Sequence, residues 1–337
     1  MISIIIPTYR SESNLGPLHA RLSGVLSRLE EESEIIFVND CSPDSTLVVL
    51  RALAQQDSHV RVISLSRNFG QQIAISAGLR FCSGDAAVIM DDDLQDPPEL
   101  IDAFIAKWRE GYEVVYGLRR KRKESLQKRL AYSSFYKFLR LVSGTDIPPD
   151  SGDFGLIGRE IINLINSMPE RSRFIRGLRA WAGFRQIGIE YERGSRYSGE
   201  PAYNFRGMLK LAGNAIFSFS TVPLRLVAVI GAAGAGLSVF GAIVTLCQRL
   251  VTAFWPEFPL ATWPGFSTIV ITIFFFGGVQ LVSIGILGEY IGRIYEEVKQ
   301  RPMFVVEEMI GFDNASSLAA RLTDKPVSTE VGGRARA

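Results

Sequence analysis

The sequence predicts an α/β fold, a largely parallel sheet covered by helices on both faces, followed by two apolar helices long enough to cross a bilayer. Three observations predict it. Short Ile/Val-rich runs alternate with helix-like stretches up to about residue 117, and continuous apolar strands of that kind belong to sheets buried on both sides. The run 86–90 ends in Asp91-Asp92-Asp93-Leu94-Gln95-Asp96, and folds of this class bind ligands at the carboxyl edge of the sheet. Near the end of the chain lie two long uncharged stretches, 226–248 and 258–288.

The elements follow in order. Strands are predicted at 2–7, 35–39, 60–65, 86–91 and 113–117, separated by helices near 15–29, 45–56, 71–82 and 98–109. Pro97-Pro98 stops the fourth strand and starts the helix behind it. A helix at 125–142 and a turn at 144–149 come next, and the α/β domain is expected to span 1–200. A Gly/Ser/Pro-containing hinge at 194–203 leads to an amphipathic helix at 203–224, with Arg206 and Lys210 on one side, suited to a membrane interface. The hairpin of two spans occupies 225–292, its first uncharged stretch about 23 residues or roughly 34 Å long as a helix. A juxtamembrane helix or strand is expected at 293–312, where 290–301 can also lie in the interface, and the Ala/Ser/Gly/Arg-rich tail 313–337 reads as disordered.

Composition excludes several classes. With 337 residues there is room for one large domain and an appendage, and the net charge of +2 decides nothing. The three cysteines are far apart with no CxxC spacing, so neither a disulfide framework nor a zinc site is indicated, and a reducing compartment fits. His19 and His59 are the only histidines and stand in no motif, which argues against a Ser-His triad or a histidine-held metal. The first strand opens at residue 2, leaving no space for a signal peptide. Arg225, Arg293, Lys299 and Arg301 flank the hairpin on one side against Arg249 on the other, so both flanks are expected to be cytoplasmic. Small residues in the first span (Gly231, Ala232, Gly236, Gly241) either let the helices approach closely or are filler.

The acidic string delivers several hard oxygen ligands to one point. Mg²⁺ and Mn²⁺ prefer such ligands and are usually shared with substrate phosphates. A metal–diphosphate site is one reading, a solvated acidic turn the other. The first strand ends in Pro7-Thr8-Tyr9 and the second in Asn39-Asp40-Cys41, so Tyr9 can stack on a base and Asp40 accept from its edge; alternatively Asp40 caps a turn or helix. After the third strand come Arg67, Asn68 and Gly70, and after the fifth Arg119, groups suited to ribose and diphosphate or to a plain turn. Asp153 is either a base or orienting carboxylate, or a structural partner of a nearby arginine. The basic run 119–129, RRKRKESLQKR, with Arg171, Arg173 and Arg176, fits anionic lipid or a lipid phosphate better than nucleic acid, given the spans that follow.

Taken together, IIIPTYRSESNL, FVNDCSPDST, SLSRNFGQQIAISAGL, GDAAVIMDDDLQDPPELI, RSRFIRGLRAW and SFSTVPLRL resemble the polyprenyl-phosphate glycosyltransferases of glycosyltransferase family 2, which include dolichol-phosphate mannose synthase; the match runs over 2–301. The resemblance implies a GT-A fold and inverting transfer of one sugar, glucose first, from a nucleotide-sugar to undecaprenyl phosphate at the cytoplasmic face of a bacterial inner membrane. It implies Asp91, Asp93 and Gln95 as ligands of Mg²⁺ or Mn²⁺. Pro7, Tyr9, Glu12, Asp40, Asn68, Asp92 and Arg119 fall at the nucleotide-sugar, Asp153 joins Asp93 as a catalytic candidate, and Arg173, Arg176 and Arg206 face acceptor phosphate or sugar. Relatives suggest a homotetramer and no nucleic-acid partner. Three departures stand out: Arg10-Ser11-Glu12 replaces the usual Asn-Glu-Glu, Asp92 replaces a common Ala, and Gly199–Tyr203 lacks a Ser-Lys pair, leaving Arg206 or Arg196 to substitute. Processive synthases usually carry Gln-x-x-Arg-Trp, which is missing here; a non-catalytic lipid-carrier-binding protein would not need the acidic string.

Overall fold

The computed structural model describes residues 1–29, 31–119, 151–171, 173–192, 222–254 and 265–312. Among them are strands β1 (Ile2–Thr8), β2 (Ser33–Asn39), β3 (Val60–Leu65), β4 (Ala86–Ile89), β5 (Val114–Arg119), β6 (Ser151–Gly158), β7 (Gln186–Tyr191) and β8 (Val306–Ile310). The α-helices are α1 (Glu12–Leu26), α2 (Thr46–Gln56), α3 (Gln71–Phe81), α4 (Ile101–Arg109), α5 (Arg159–Ser167), α6 (Ile175–Trp181), α7 (Val222–Phe254) and α8 (Gly265–Val298). A 3₁₀ turn, Pro98–Leu100, leads into α4. One compact unit holds the sheet; α7 and α8 belong to a second. Arg206, the run beyond Arg119, the helix at 125–142, the hinge, residues 203–221 and the tail lie outside the described residues.

The eight strands form one sheet in the order β7-β5-β6-β4-β1-β2-β3-β8. β1 is central and buried at all seven positions, because parallel neighbours β2 and β4 flank it and helices cover both faces. Side chains alternate across a strand. Ile2, Ile4 and Ile6 therefore pack with Leu15, Leu18, Leu22, Leu50 and Phe104 from α1, α2 and α4. Ile5 points the other way, among Ala74, Ile75, Phe81, Ile161 and Leu178 from α3, α5 and α6. Burying each such isoleucine is worth ~1.5–3 kcal/mol, so a register slip of one residue on β1 is strongly disfavoured.

Two features differ from the expected parallel sheet. β6 is inserted antiparallel between β4 and β5, where no strand is predicted. Its sequence, SGDFGLIG, carries three glycines, which weaken the strand signal. β8 returns to the sheet after the second long helix and pairs antiparallel with β3. Phe304 and Phe312 flank it and pack edge-on against Phe81, with ring centroids 6.2 and 6.4 Å apart.

In the second unit, α7 and α8 contain stretches long and apolar enough to cross a membrane, Val222–Cys247 and Thr272–Val298. Their large apolar side chains, among them Val229, Leu237, Phe240, Phe274 and Leu281, are exposed. Gly231, Gly236 and Gly241 meet nothing, whereas Gly234 faces Phe276, whose ring would lie 2.8 Å from an added Cβ. The close approach thus falls at a glycine that the sequence does not single out. The segment 290–298 is the end of α8 rather than a separate interface helix.

Candidate active site at the carboxyl edge of the sheet

The carboxyl ends of β1, β2, β3 and β4 open on one edge, as their parallel pairing requires. The turns after three of them each hold one non-glycine residue in the left-handed region: Arg10 (φ 55°), Cys41 (φ 53°) and Leu94 (φ 59°). Such residues store ~1–3 kcal/mol each and cluster at ligand sites. Hydrogen bonds stitch the first two turns together. The Arg10 N–H donates to Ser42 Oγ at 3.1 Å, the Ser11 N–H to Thr46 Oγ1 at 2.9 Å, and the Ser45 N–H to Glu12 at 3.0 Å. Glu12 is thereby engaged at the start of α2. Pro7 is buried within β1, and the Tyr9 ring is open to solvent.

Asp40 is buried, and its two oxygens accept the backbone N–H groups of Phe69 (2.7 Å) and Gly70 (2.8 Å). This braces the turn ahead of α3 across two loops: the donors are Phe69 and Gly70 (φ 96°), the two residues that precede the helix, so the carboxylate sits at its positive end. Asn68 is exposed and donates to the Asp40 carbonyl at 3.4 Å.

The acidic string follows β4, and the antiparallel strand decides what faces it. Ile89 pairs with Gly155 and Leu118 with Ser151, so Asp153 and Arg119 reach the same edge as Asp91. Burial, then the charges of Asp96, Asp153, Asp93 and Asp92, push the Asp91 carboxyl up to about 7. Gln71, the first residue of α3, donates to Asp91 Oδ1 at 2.6 Å. Asp92 is raised to about 6, chiefly by burial, although Ser11 Oγ and the Tyr9 backbone donate to it. Asp93 accepts the Gln95 N–H at 3.1 Å, closing the turn at Leu94.

Asp153 takes hydrogen bonds from Gln72 Nε2 (2.9 Å) and Arg176 Nε (3.3 Å). Burial alone would raise its pKa, but Arg176 and Arg179 outweigh that and hold the carboxyl below the usual range. Arg179 is buried, donates to the Gly152 carbonyl at 2.9 Å, and is pushed down to about 10 by burial. Arg173 turns inward to the carbonyls of Ile165 and Met168, 2.7 Å from each, at the end of α5. Gln71, Gln72, Arg179, Asp96, Ser11 and Tyr191 are contributors that sequence reasoning does not assign. The neighbouring Asp91–Asp93 string could have flagged Asp96; nothing local marks the others.

Among the described residues, no three His, Cys, Asp or Glu side chains form a ready-made cation cage. The donor set nonetheless fits a hard divalent ion. Burial and the neighbouring carboxylates, which push the Asp91 carboxyl up to about 7, disfavour a bare negative charge there that a cation would relieve, and Mg²⁺ is commonly held by one or two carboxylates while substrate phosphates complete its shell.

Comparison with known proteins agrees with this geometry. Residues 3–165 match the profile described as Glycosyl transferase family 2. An uncharacterized glycosyltransferase of Synechocystis sp. is 41% identical over 93% of this chain and 96% of its own length. One from Bacillus subtilis is 40% identical over 93% and 95%. A prophage-derived bactoprenol glucosyl transferase of Shigella flexneri is 37% identical over 91% and 97%. With relatives matched along nearly their full lengths, the chain belongs to glycosyltransferase family 2 and is an enzyme of the GT-A fold.

Proposed function

We propose that this enzyme transfers a single glucosyl unit, with inversion, from UDP-glucose to undecaprenyl phosphate at the cytoplasmic face of a bacterial inner membrane. The carrying observation is the meeting, at one sheet edge, of the acidic string with Arg119 and the Asp153–Arg176 pair. Two further findings support the choice of acceptor and sugar: among the described residues are two helices long and apolar enough to cross a membrane, and several relatives are named bactoprenol glucosyl transferases.

Asp91, Asp93 and Gln95 would hold Mg²⁺ or Mn²⁺, which when bound supplies Lewis-acid neutralisation of the departing diphosphate. Arg119 adds a fixed positive charge where that negative charge develops. Tyr9 stacks on the base, and Asp40, with Asn68, shapes the floor beneath it; an ionised carboxylate has lone pairs beyond the two its backbone partners use. The acceptor phosphate has a second pKa of about 6 and is already a dianion at neutral pH, so no general base is needed. Asp153, ionised and paired, is better suited to hold Arg176 toward that phosphate than to remove a proton. Attack on the face opposite the leaving group converts an α-linked donor to a β-linked product.

The test is a donor panel of UDP-glucose, a UDP-4-amino-4-deoxy-arabinose derivative and GDP-mannose, given to the purified protein in vesicles containing undecaprenyl phosphate. The extracted lipid is read by mass spectrometry. A hexosyl-phosphate lipid from UDP-glucose is expected. Product from another donor alone would overturn the choice of sugar, and lipid-linked product from none would favour a non-catalytic carrier-binding protein.

A further inference from the structure

We infer that Tyr191, at the end of β7, is a positioning residue. Its phenol bridges Arg119 and the buried carboxylate of Asp96 and so sets where the guanidinium stands relative to the acidic string. The inference rests on the proposed role of Arg119 at the diphosphate.

Tyr191 and Asp96 are both buried, and the phenol donates to Asp96 Oδ1 at 2.5 Å. The phenol oxygen in turn accepts from the Arg119 guanidinium. A phenol has one proton to give and lone pairs to receive, so the chain is directional: guanidinium N–H to Tyr191 oxygen, Tyr191 O–H to Asp96. Burial and the Asp96 charge both raise the Tyr191 pKa, so the phenol keeps its proton. The arrangement separates a cation from an anion by one neutral hydroxyl. Arg119 is held without being neutralised by direct contact, and its Nε–H is buried with no hydrogen-bond partner among the described residues.

The surrounding backbone is cut to fit. On β5, a Cβ at Gly117 would come within 2.7 Å of the Tyr191 ring, and on β6 a Cβ at Gly152 would come within 2.9 Å of the Arg119 guanidinium. Neighbouring strands thus each leave out a side chain where one member of the bridge passes. The Tyr191 ring also packs edge-on against Phe154, centroids 5.6 Å apart, so Phe can keep the packing while removing only the hydroxyl. Asp96 lies three residues after Asp93, which ties the far strand of the sheet to the loop proposed to hold the metal.

The experiment compares binding of UDP and of uridine, each with Mg²⁺, to the full chain in detergent by calorimetry, with melting temperature recorded for every variant. A hydrogen bond to a charged group is worth about tenfold or more in affinity. Tyr191→Phe is expected to weaken UDP about tenfold and leave uridine unchanged. Adding it to Arg119→Ala should produce no further loss, because both remove one interaction. Gly152→Ala, which displaces the guanidinium without touching Tyr191, should give the same UDP-selective loss and covers the case in which Tyr191→Phe does not fold. Equal weakening of UDP and uridine, multiplicative losses in the double variant, or unchanged UDP affinity in Tyr191→Phe or Gly152→Ala would overturn the positioning role. Unchanged UDP affinity in Arg119→Ala would instead overturn the reading of Arg119 on which the inference rests.

Discussion

Replacing Asp153 with Asn separates a positioning role from a proton-transfer role. The carboxylate is the counter-charge of Arg176, whose side chain is 26% exposed, and of Arg179, which is 2% exposed. Breaking a buried pair by removing one partner costs ~3–5 kcal/mol. Asn still offers an oxygen to Gln72 or Arg176, and solvent reaches Arg176, so the figure falls to ~2–3 kcal/mol. For a domain of this size each kcal/mol moves the midpoint by about 2–4 °C, giving a drop of about 5–10 °C. The assay is a thermal melt in detergent, repeated on Asp153→Asn with Arg176→Met, where removing the stranded cation should recover at least half of the loss. Turnover should fall mainly through a higher KM for the lipid phosphate, and the acid limb of the pH–rate profile should persist. Two results would refute this reasoning: a variant that melts like the parent, or one that loses its acid limb together with nearly all kcat, as a general base would.

The other expectations concern neighbouring groups. Asp93→Asn should abolish turnover while leaving the melting temperature within a few degrees, and a chelator should silence the parent until Mg²⁺ or Mn²⁺ is restored; activity measured in the chelator would exclude a metal role. Asp40→Asn removes the charge and leaves one of the two N–H groups ahead of α3 without an acceptor oxygen, which should cost ~1 kcal/mol, measured by denaturant unfolding, with an unchanged midpoint counting against the brace. Burial raises the Asp57 pKa, but the His59 backbone and the two imidazoles at 2.8 and 2.9 Å outweigh it and hold the group below its ordinary value. The stabilisation it gives is therefore present above about pH 4 and lost as pH falls through the folded-state value. Asp57→Asn should melt lower than the parent at pH 6, with the gap closing near pH 3, and a gap independent of pH would contradict the assignment.

The first half of the sheet is legible in the sequence because its strands are buried on both faces and so carry unbroken Ile/Val runs. β1 and β3 illustrate this, with expected and observed bounds agreeing within a residue. The acidic string is legible for a chemical reason: few structural roles need four aspartates within six residues. β6 is hidden because three glycines in eight residues erase its pattern, and with it goes the knowledge of what faces Asp91. Gln71 and Gln72 were hidden differently. They open an ordinary amphipathic helix, and only the packing of α3 against β1 and β2 turns them toward two carboxylates. Arg173 shows the converse, a residue whose charge suggests a ligand but whose guanidinium ends on helix carbonyls.

Two departures from the family pattern that look unrelated in the sequence turn out to touch. Ser11 stands where the resembled family usually has a glutamate, and Asp92 where it commonly has alanine; here the Ser11 hydroxyl donates to the Asp92 carboxylate. One acidic group is missing from the first loop and one is added to the fourth, so the local count of negative charge is conserved while its anchor moves. The physical consequence is a change of support. A carboxylate carried on the first loop would move with Tyr9, whereas this one belongs to the acidic string and also accepts from the Tyr9 backbone. The strained turn at Arg10 and the string are thereby fastened together, and Ser11 extends the connection to Thr46 at the start of α2. The turn proposed to meet the nucleotide and the string proposed to meet the diphosphate are thus coupled through one carboxylate, pushed up to about 6 chiefly by the burial that this bridge requires.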